Sequence, residues 1–152
     1  VPLWTSEGQP IPEMAAALER GVIMDVAHGA ASCYKDVAIR AIAKGYKDCI
    51  ISTDLHGRNV NGPVYGLSQT MTKFLAFGLK LHEVIRSVTS KPASVLGMTD
   101  WCSDLTRNCT IFRLRDRRPS DVPFIDSIKK PIEVKKAIEP ISIIMDGEYI
   151  KL

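Results

Sequence analysis

The sequence lacks most of the signatures that announce a chemistry. No apolar run reaches the ~18 residues that a membrane-spanning helix needs, and no basic–apolar–small leader opens the chain. Histidine is scarce, with 3 in 152 residues. No H-x-H or H-E-x-x-H places two of them together, which excludes a self-contained zinc-protease helix. G-x-S-x-G and G-x-x-x-x-G-K-[ST] are missing as well, which removes the serine-hydrolase elbow and the phosphate-binding P-loop. The four cysteines, Cys33, Cys49, Cys102 and Cys109, form no C-x-x-C pair. They read as reduced thiols, and so point to the cytoplasm. Aromatic residues are few, at 7%. None is interleaved with the basic cluster Arg113, Arg115, Arg117 and Arg118 to stack bases. With 20 Lys+Arg against 17 Asp+Glu, the net charge of +3 is too small to argue for nucleic acid. That cluster reads instead as the solvated face of an edge strand. No membrane partner is indicated either.

What is present is ordinary for a soluble globular protein: 45% hydrophobic and 24% charged residues. The length suits one domain, or two small ones. Composition shifts near residue 98, so we divide the chain into 1–98 and 99–152. In the first part, residues 11–20 read as a helix, with Pro12 at its start and Gly21 at its end. Val22–Val26 is a short apolar run and reads as a buried strand, followed by His28-Gly29. Lys35–Lys44 is an amphipathic helix. Cys49–Ile51 is a second short strand, ending in Thr53-Asp54-Leu55-His56. This strand–helix–strand unit predicts an α/β fold with parallel strands. It places His28, Asp54 and His56 just after strand C-termini, the face where such folds bind ligands. A long Gly-rich loop, Leu55–Leu67, leads to helices near Ser68–Phe77 and from Leu81 onward. In the second part, Cys109–Leu114, Ile132–Ile138 and Ile141–Met145 read as strands. Asp146-Gly147 is a hairpin turn into Tyr149-Ile150, so this part is a small antiparallel sheet.

The polar residues at the strand ends carry the candidate chemistry. Asp54 can ligate a metal or act as a general base; the plain alternative is a carboxylate capping its own loop. His28 can touch metal or substrate, or simply hydrogen-bond the next loop. His56 can steady the carboxylate two residues before it. Arg58 and Asn59 lie on the same loop. The Arg58 fork suits a substrate carboxylate, or else anchors its own loop. His82, between Leu81 and Glu83, reads as exposed.

Two segments then resemble a known group. Gly21-Val22-Ile23-Met24-Asp25-Val26-Ala27-His28-Gly29 is similar to the G-V-x-F-D-V-G-H-G segment of the amidohydrolase/deacetylase metallohydrolases. The stretch from Ile51-Ser52-Thr53-Asp54-Leu55-His56-Gly57-Arg58-Asn59 through Asn61-Gly62-Pro63-Val64-Tyr65 resembles their I-S-T-D-L-H-G-R-N-x-N-G-P-V-Y. Ala27 departs from the pattern, where Gly is usual. Further matches run in order through Met71–Leu75, Val84–Arg86 and Leu96-Gly97, so the resemblance covers roughly residues 10–98. Trp101–Thr106 holds the place of the group's G-x-x-A-D-L only loosely.

The resemblance implies the C-terminal part of a (β/α)₈ TIM barrel, dihydroorotase- or D-aminoacylase-like, followed by part of a small β-sandwich. Val22–Val26 becomes barrel strand seven and Cys49–Ser52 strand eight. Asp54 takes the place of the metal ligand and proton shuttle. His28, His56, Arg58 and Asn59 fall at the substrate or behind the ligands. The implied cofactor is a divalent metal, zinc foremost, with two ions in the intact enzyme. The implied substrate is a small N-acyl or O-acyl compound, and the intact enzyme can be a homo-oligomer. The other expected ligands would lie before Val1. A slice of barrel exposes strand edges and apolar faces, so alone it is expected to associate or stay partly molten. The competing expectation is a self-standing, inactive binding or structural module.

Overall fold

The computed structural model describes residues 3–98 and 108–152. The expectation for Trp101–Thr106 and Cys102 lies outside the described residues. The first part runs α1 (Pro12–Glu19), β1 (Met24–Ala27), α2 (Lys35–Ala43), β2 (Cys49–Ser52), α3 (Leu67–Ala76), α4 (Leu81–Val88) and α5 (Ser90–Val95). The second part holds β3 (Asn108–Asp116), β4 (Lys136–Met145) and β5 (Glu148–Lys151).

β1 and β2 pair in parallel, Met24 opposite Cys49 through Ala27 opposite Ser52. Together they form a two-stranded sheet, with α2 as the crossover that parallel pairing requires. The strand begins later than its apolar run suggests. Val22 and Ile23 precede the first pair and are 51% and 46% exposed. They are apolar, but nothing among the described residues covers them. β1 is half-buried or exposed throughout, whereas β2 alternates buried and half-buried residues under α3 and α4. The outer edge of β1 is therefore unpaired among the described residues, as a slice of a larger sheet would leave it.

The second sheet is antiparallel in the order β3-β4-β5. Asp146-Gly147 makes the two-residue hairpin between Met145 and Glu148. Two expected strands become one here. Ile141–Met145 and Ile138 belong to the single strand β4, which runs through Pro140, while Ile132 and Val134 lie before it. The proline is tolerated because the register slips beside it: Ile111 faces Ser142 and Phe112 faces Pro140, so Ile141 is left over in a bulge. Ile132 and Val134 are buried off-strand, against the first part of the chain.

One apolar core joins both parts. Ile42, Cys49, Ile51, Met71, Phe74 and Val84 pack in a single cluster with Phe124, Ile132, Val134, Ala137 and Ile138. Phe74 and Phe77 meet edge-on at 5.4 Å. A buried hydrogen bond from Ile138 N–H to Thr72 Oγ1, 3.0 Å, ties β4 to α3. The basic cluster lies along β3 and just after it, where Arg113, Arg115 and Arg118 pair with acids. Arg115 forks both Asp121 carboxylate oxygens at 2.8 and 2.6 Å, and Glu139 accepts from Arg113 and Arg118 at 2.6 Å each. The Arg115 fork holds the Asp121 carboxyl down to about 2.

Candidate active site at the strand tips

The two parallel strands deliver their C-terminal tips side by side. Pairing continues one step past the strands: His28 N–H donates to the Ser52 carbonyl and Gly29 N–H to the Thr53 carbonyl, both at 3.1 Å. The chain then turns sharply. Asp54 takes a left-handed backbone, φ 48°, and so does Gly29, φ 53°. A Cβ on Gly29 would lie 2.8 Å from Asp54 Oδ2 on a left-handed backbone, so any larger residue there strains the turn and pushes the carboxylate aside. The Asp54 carboxylate is exposed and has no ion-pair partner among the described residues.

Asn59 holds the loop that follows. It is fully buried; its Oδ1 accepts from His56 N–H and its Nδ2 donates to the Asp54 carbonyl, both at 2.8 Å. Both ends of the side-chain amide are thus spent on the loop. His56 is half-buried and accepts from Arg58 N–H at Nδ1, 3.2 Å. Arg58 is exposed, and its guanidinium meets no carboxylate among the described residues. Asp54, His56 and Arg58 are the expected site residues that the fold leaves accessible. Asn59 is turned inward as a brace.

His28 is 0% exposed. Its Nδ1 lies 3.1 Å from the Gly29 carbonyl and its Nε2 lies 3.0 Å from Lys73 Nζ. Burial, and then the Lys73 charge, push its pKa down to about 4, so the ring is neutral. Lys73 is also 0% exposed, and burial lowers its pKa to about 8. Burial likewise raises the Cys33 thiol to about 12 and the Cys49 thiol to about 11, which leaves both poor nucleophiles.

Residues from the second part complete the frame. Asp126, fully buried, accepts from Lys35 N–H at the start of α2, 3.1 Å, and from Ile128 and Lys130 N–H at 3.0 and 2.8 Å. It thereby caps a helix whose own N-cap residue, Tyr34, contributes no side-chain bond. Ser127 Oγ accepts from Cys33 N–H at 2.9 Å and donates to the His28 carbonyl at 3.2 Å. The sequence reading passed over Lys73, Asp126 and Ser127. For Lys73 a signal existed: it is the single charged residue between Arg58 and Lys80. Asp126 gave none, since its helix partner lies 91 positions away.

Asp54 thus presents an exposed carboxylate at a strand tip, close to Gly29, on a loop steadied by a buried amide. The chain matches a deacetylase of Agrobacterium fabrum at 36% identity over 134 residues, covering 86% of this chain and 32% of the relative. It matches a deacetylase of Brucella anthropi at 38% identity over 133 residues, again 86% of this chain and 32% of the relative. Its homologues are thus deacetylases, and its structural neighbours belong to the amidohydrolase superfamily. Two solved structures share its fold. An adenine deaminase superposes with a TM-score of 0.84 at 31% identity, over 94% of this chain and 39% of that one. A dihydroorotase does so with a TM-score of 0.78 at 33% identity, over 93% and 38%. No family profile matches. The chain spans about a third of the length of the curated relatives it matches.

Proposed function

We propose that this chain forms the C-terminal part of a metal-dependent hydrolase that cleaves the amide or ester bond of a small acylated substrate. The division at residues 98 and 99 then separates the end of a (β/α)₈ barrel from strands of an accessory sandwich, with β1 as barrel strand seven and β2 as strand eight. The unpaired edge of β1 suits this reading, because a barrel strand needs a neighbour on each side.

The observation that carries the proposal is Asp54: an accessible carboxylate at a strand C-terminus, its backbone fixed by Asn59 and Gly29 packed against it. Its donor chemistry fits a hard or borderline divalent cation. Among the described residues no group of three His, Cys, Asp or Glu side chains gathers around it. The proposal places the other ligands on further polypeptide. A chain acting alone would serve as a binding or structural module.

A divalent ion, zinc foremost, supplies water activation and carbonyl polarisation when bound. Asp54 accepts the proton as the water oxygen bonds to the acyl carbon. It then returns that proton to the leaving nitrogen or oxygen as the C–N or C–O bond breaks. The exposed Arg58 fork is placed to receive a carboxylate on the substrate, and His56 to steady the loop beneath it. The intact enzyme is assigned to the cytoplasm, where it can form a homo-oligomer.

The test uses the complete reading frame that contains this chain, assayed on N-acyl amino acids and O-acyl esters with and without a chelator. Zinc-restored hydrolysis is expected, with Asp54→Asn lowering kcat ~10²–10⁴-fold. Near-normal turnover in Asp54→Asn contradicts the role.

A further inference from the structure

The reaction proposed above makes no use of Lys73, yet its placement on α3 is costly. A helix lysine ordinarily runs its stem along the surface and leaves the ammonium in water. Here the whole side chain is buried, and no carboxylate pairs with it among the described residues. A methionine would fill similar volume without the desolvation penalty. What the amine adds is its donors.

Those donors reach both strand-tip segments. Nζ donates to the Pro63 carbonyl on the β2–α3 loop and lies 3.0 Å from His28 Nε2 on the β1–α2 segment. The opposite ring nitrogen, Nδ1, faces the Gly29 carbonyl and must donate to it. Nε2 therefore carries the lone pair that accepts from Lys73. Both contacts lead on to Asp54. His28 directly precedes Gly29, where an added Cβ would lie only 2.8 Å from Asp54 Oδ2. Pro63 closes the loop whose Asn59 holds the Asp54 carbonyl, with Gly62 and Val64 N–H donating to the Asn59 carbonyl at 3.0 and 3.3 Å.

We propose that Lys73 is a positioning residue for Asp54: by donating at once to His28 and to the Pro63 carbonyl, it locks the two strand-tip segments together and fixes where the carboxylate points. This rests on the reading of Asp54 as the proton-transfer group. The lock itself is a property of the described residues.

Lys73→Met and Asp54→Asn are compared in the complete polypeptide, with melting temperature recorded alongside kinetics. Lys73→Met is expected to lower kcat ~10–100-fold, the scale of a catalytic group displaced by about an ångström, with KM within a few-fold of wild type. If Asp54→Asn is inactive while Lys73→Met keeps its kcat, or changes only KM, the positioning role is wrong and the reaction stands. If Asp54→Asn stays active, the reaction assigned to Asp54 is wrong. A second measurement needs no variant and decides the case if Lys73→Met does not fold. Long-range proton–nitrogen NMR of the wild-type complete polypeptide, with its histidines isotope-labelled, reports the His28 tautomer. A neutral ring protonated at Nδ1 at pH ~7 is expected. An Nε2–H tautomer or an imidazolium removes the acceptor for Lys73 and overturns the proposal.

Discussion

β1 and β2 lie in register and release the chain at the same level of the sheet, one toward His28 and the other toward Asp54. Both residues are polar and both follow short parallel strands, yet their surroundings are opposite. His28 is sealed in, with each ring nitrogen engaged and the ring held neutral. Asp54 is open to solvent, with its backbone braced and its carboxylate unpaired among the described residues. Position at a strand tip therefore selects candidates but does not assign roles. A group whose hydrogen bonds are all spent inside the chain supports the site, and a group with free lone pairs at the surface can act on a substrate.

The largest effect that sharpens this contrast is on acid stability. The folded pKa of His28, about 4, lies below the ordinary 6.5 of the unfolded chain. Between those values the unfolded state binds a proton that the folded state refuses. The stabilisation present above pH ~6.5 is thus lost as pH falls toward 4, by ~3 kcal/mol at most. The groups facing the ring are Lys73 on α3 and Asp126 before β4. Urea unfolding of the chain between pH ~7 and ~4.5 should show this slope, and His28→Gln should flatten it. Asp121, held near 2 by Arg115, acts only at lower pH. A flat wild-type profile would break the contrast, because it would mean that His28 is accessible.

A smaller effect comes from the contact between the tips. Gly29→Ala combines a left-handed backbone with a Cβ 2.8 Å from Asp54 Oδ2. It should cost ~1–2 kcal/mol of stability and lower kcat about tenfold or more by displacing the carboxylate. Gly57→Ala is the control: its added Cβ meets nothing within 4 Å and its φ is not left-handed, so it should leave both quantities unchanged. Equal effects at the two glycines would remove the argument for a close seat.

The strand tips were legible because the clues are local. Cys49–Ser52 is a short apolar run between turn residues, and Asp146-Gly147 makes a hairpin with little help from elsewhere. Other features depend on distant partners. Asp126 gains its role only where the start of α2, 91 positions away, meets it. The burial of Lys73 depends on β4 on one side of α3 and on the Pro63 loop on another, neither of which the sequence shows. Val22 and Ile23 look buried because they are apolar, yet burial needs a neighbour that the described residues do not supply. Pro140 would ordinarily end a strand, and only the slipped register of β3 shows how β4 runs through it. The sequence showed which polar residues follow the strands, but not which of them face inward.

The account depends on Asp54 being a ligand to a catalytic metal. Crystals of the complete polypeptide grown with zinc, measured at the zinc absorption edge, test this most directly. We expect an anomalous peak ~2.0–2.2 Å from an Asp54 carboxylate oxygen. A metal bound elsewhere, with Asp54 making no contact to it, would contradict the account.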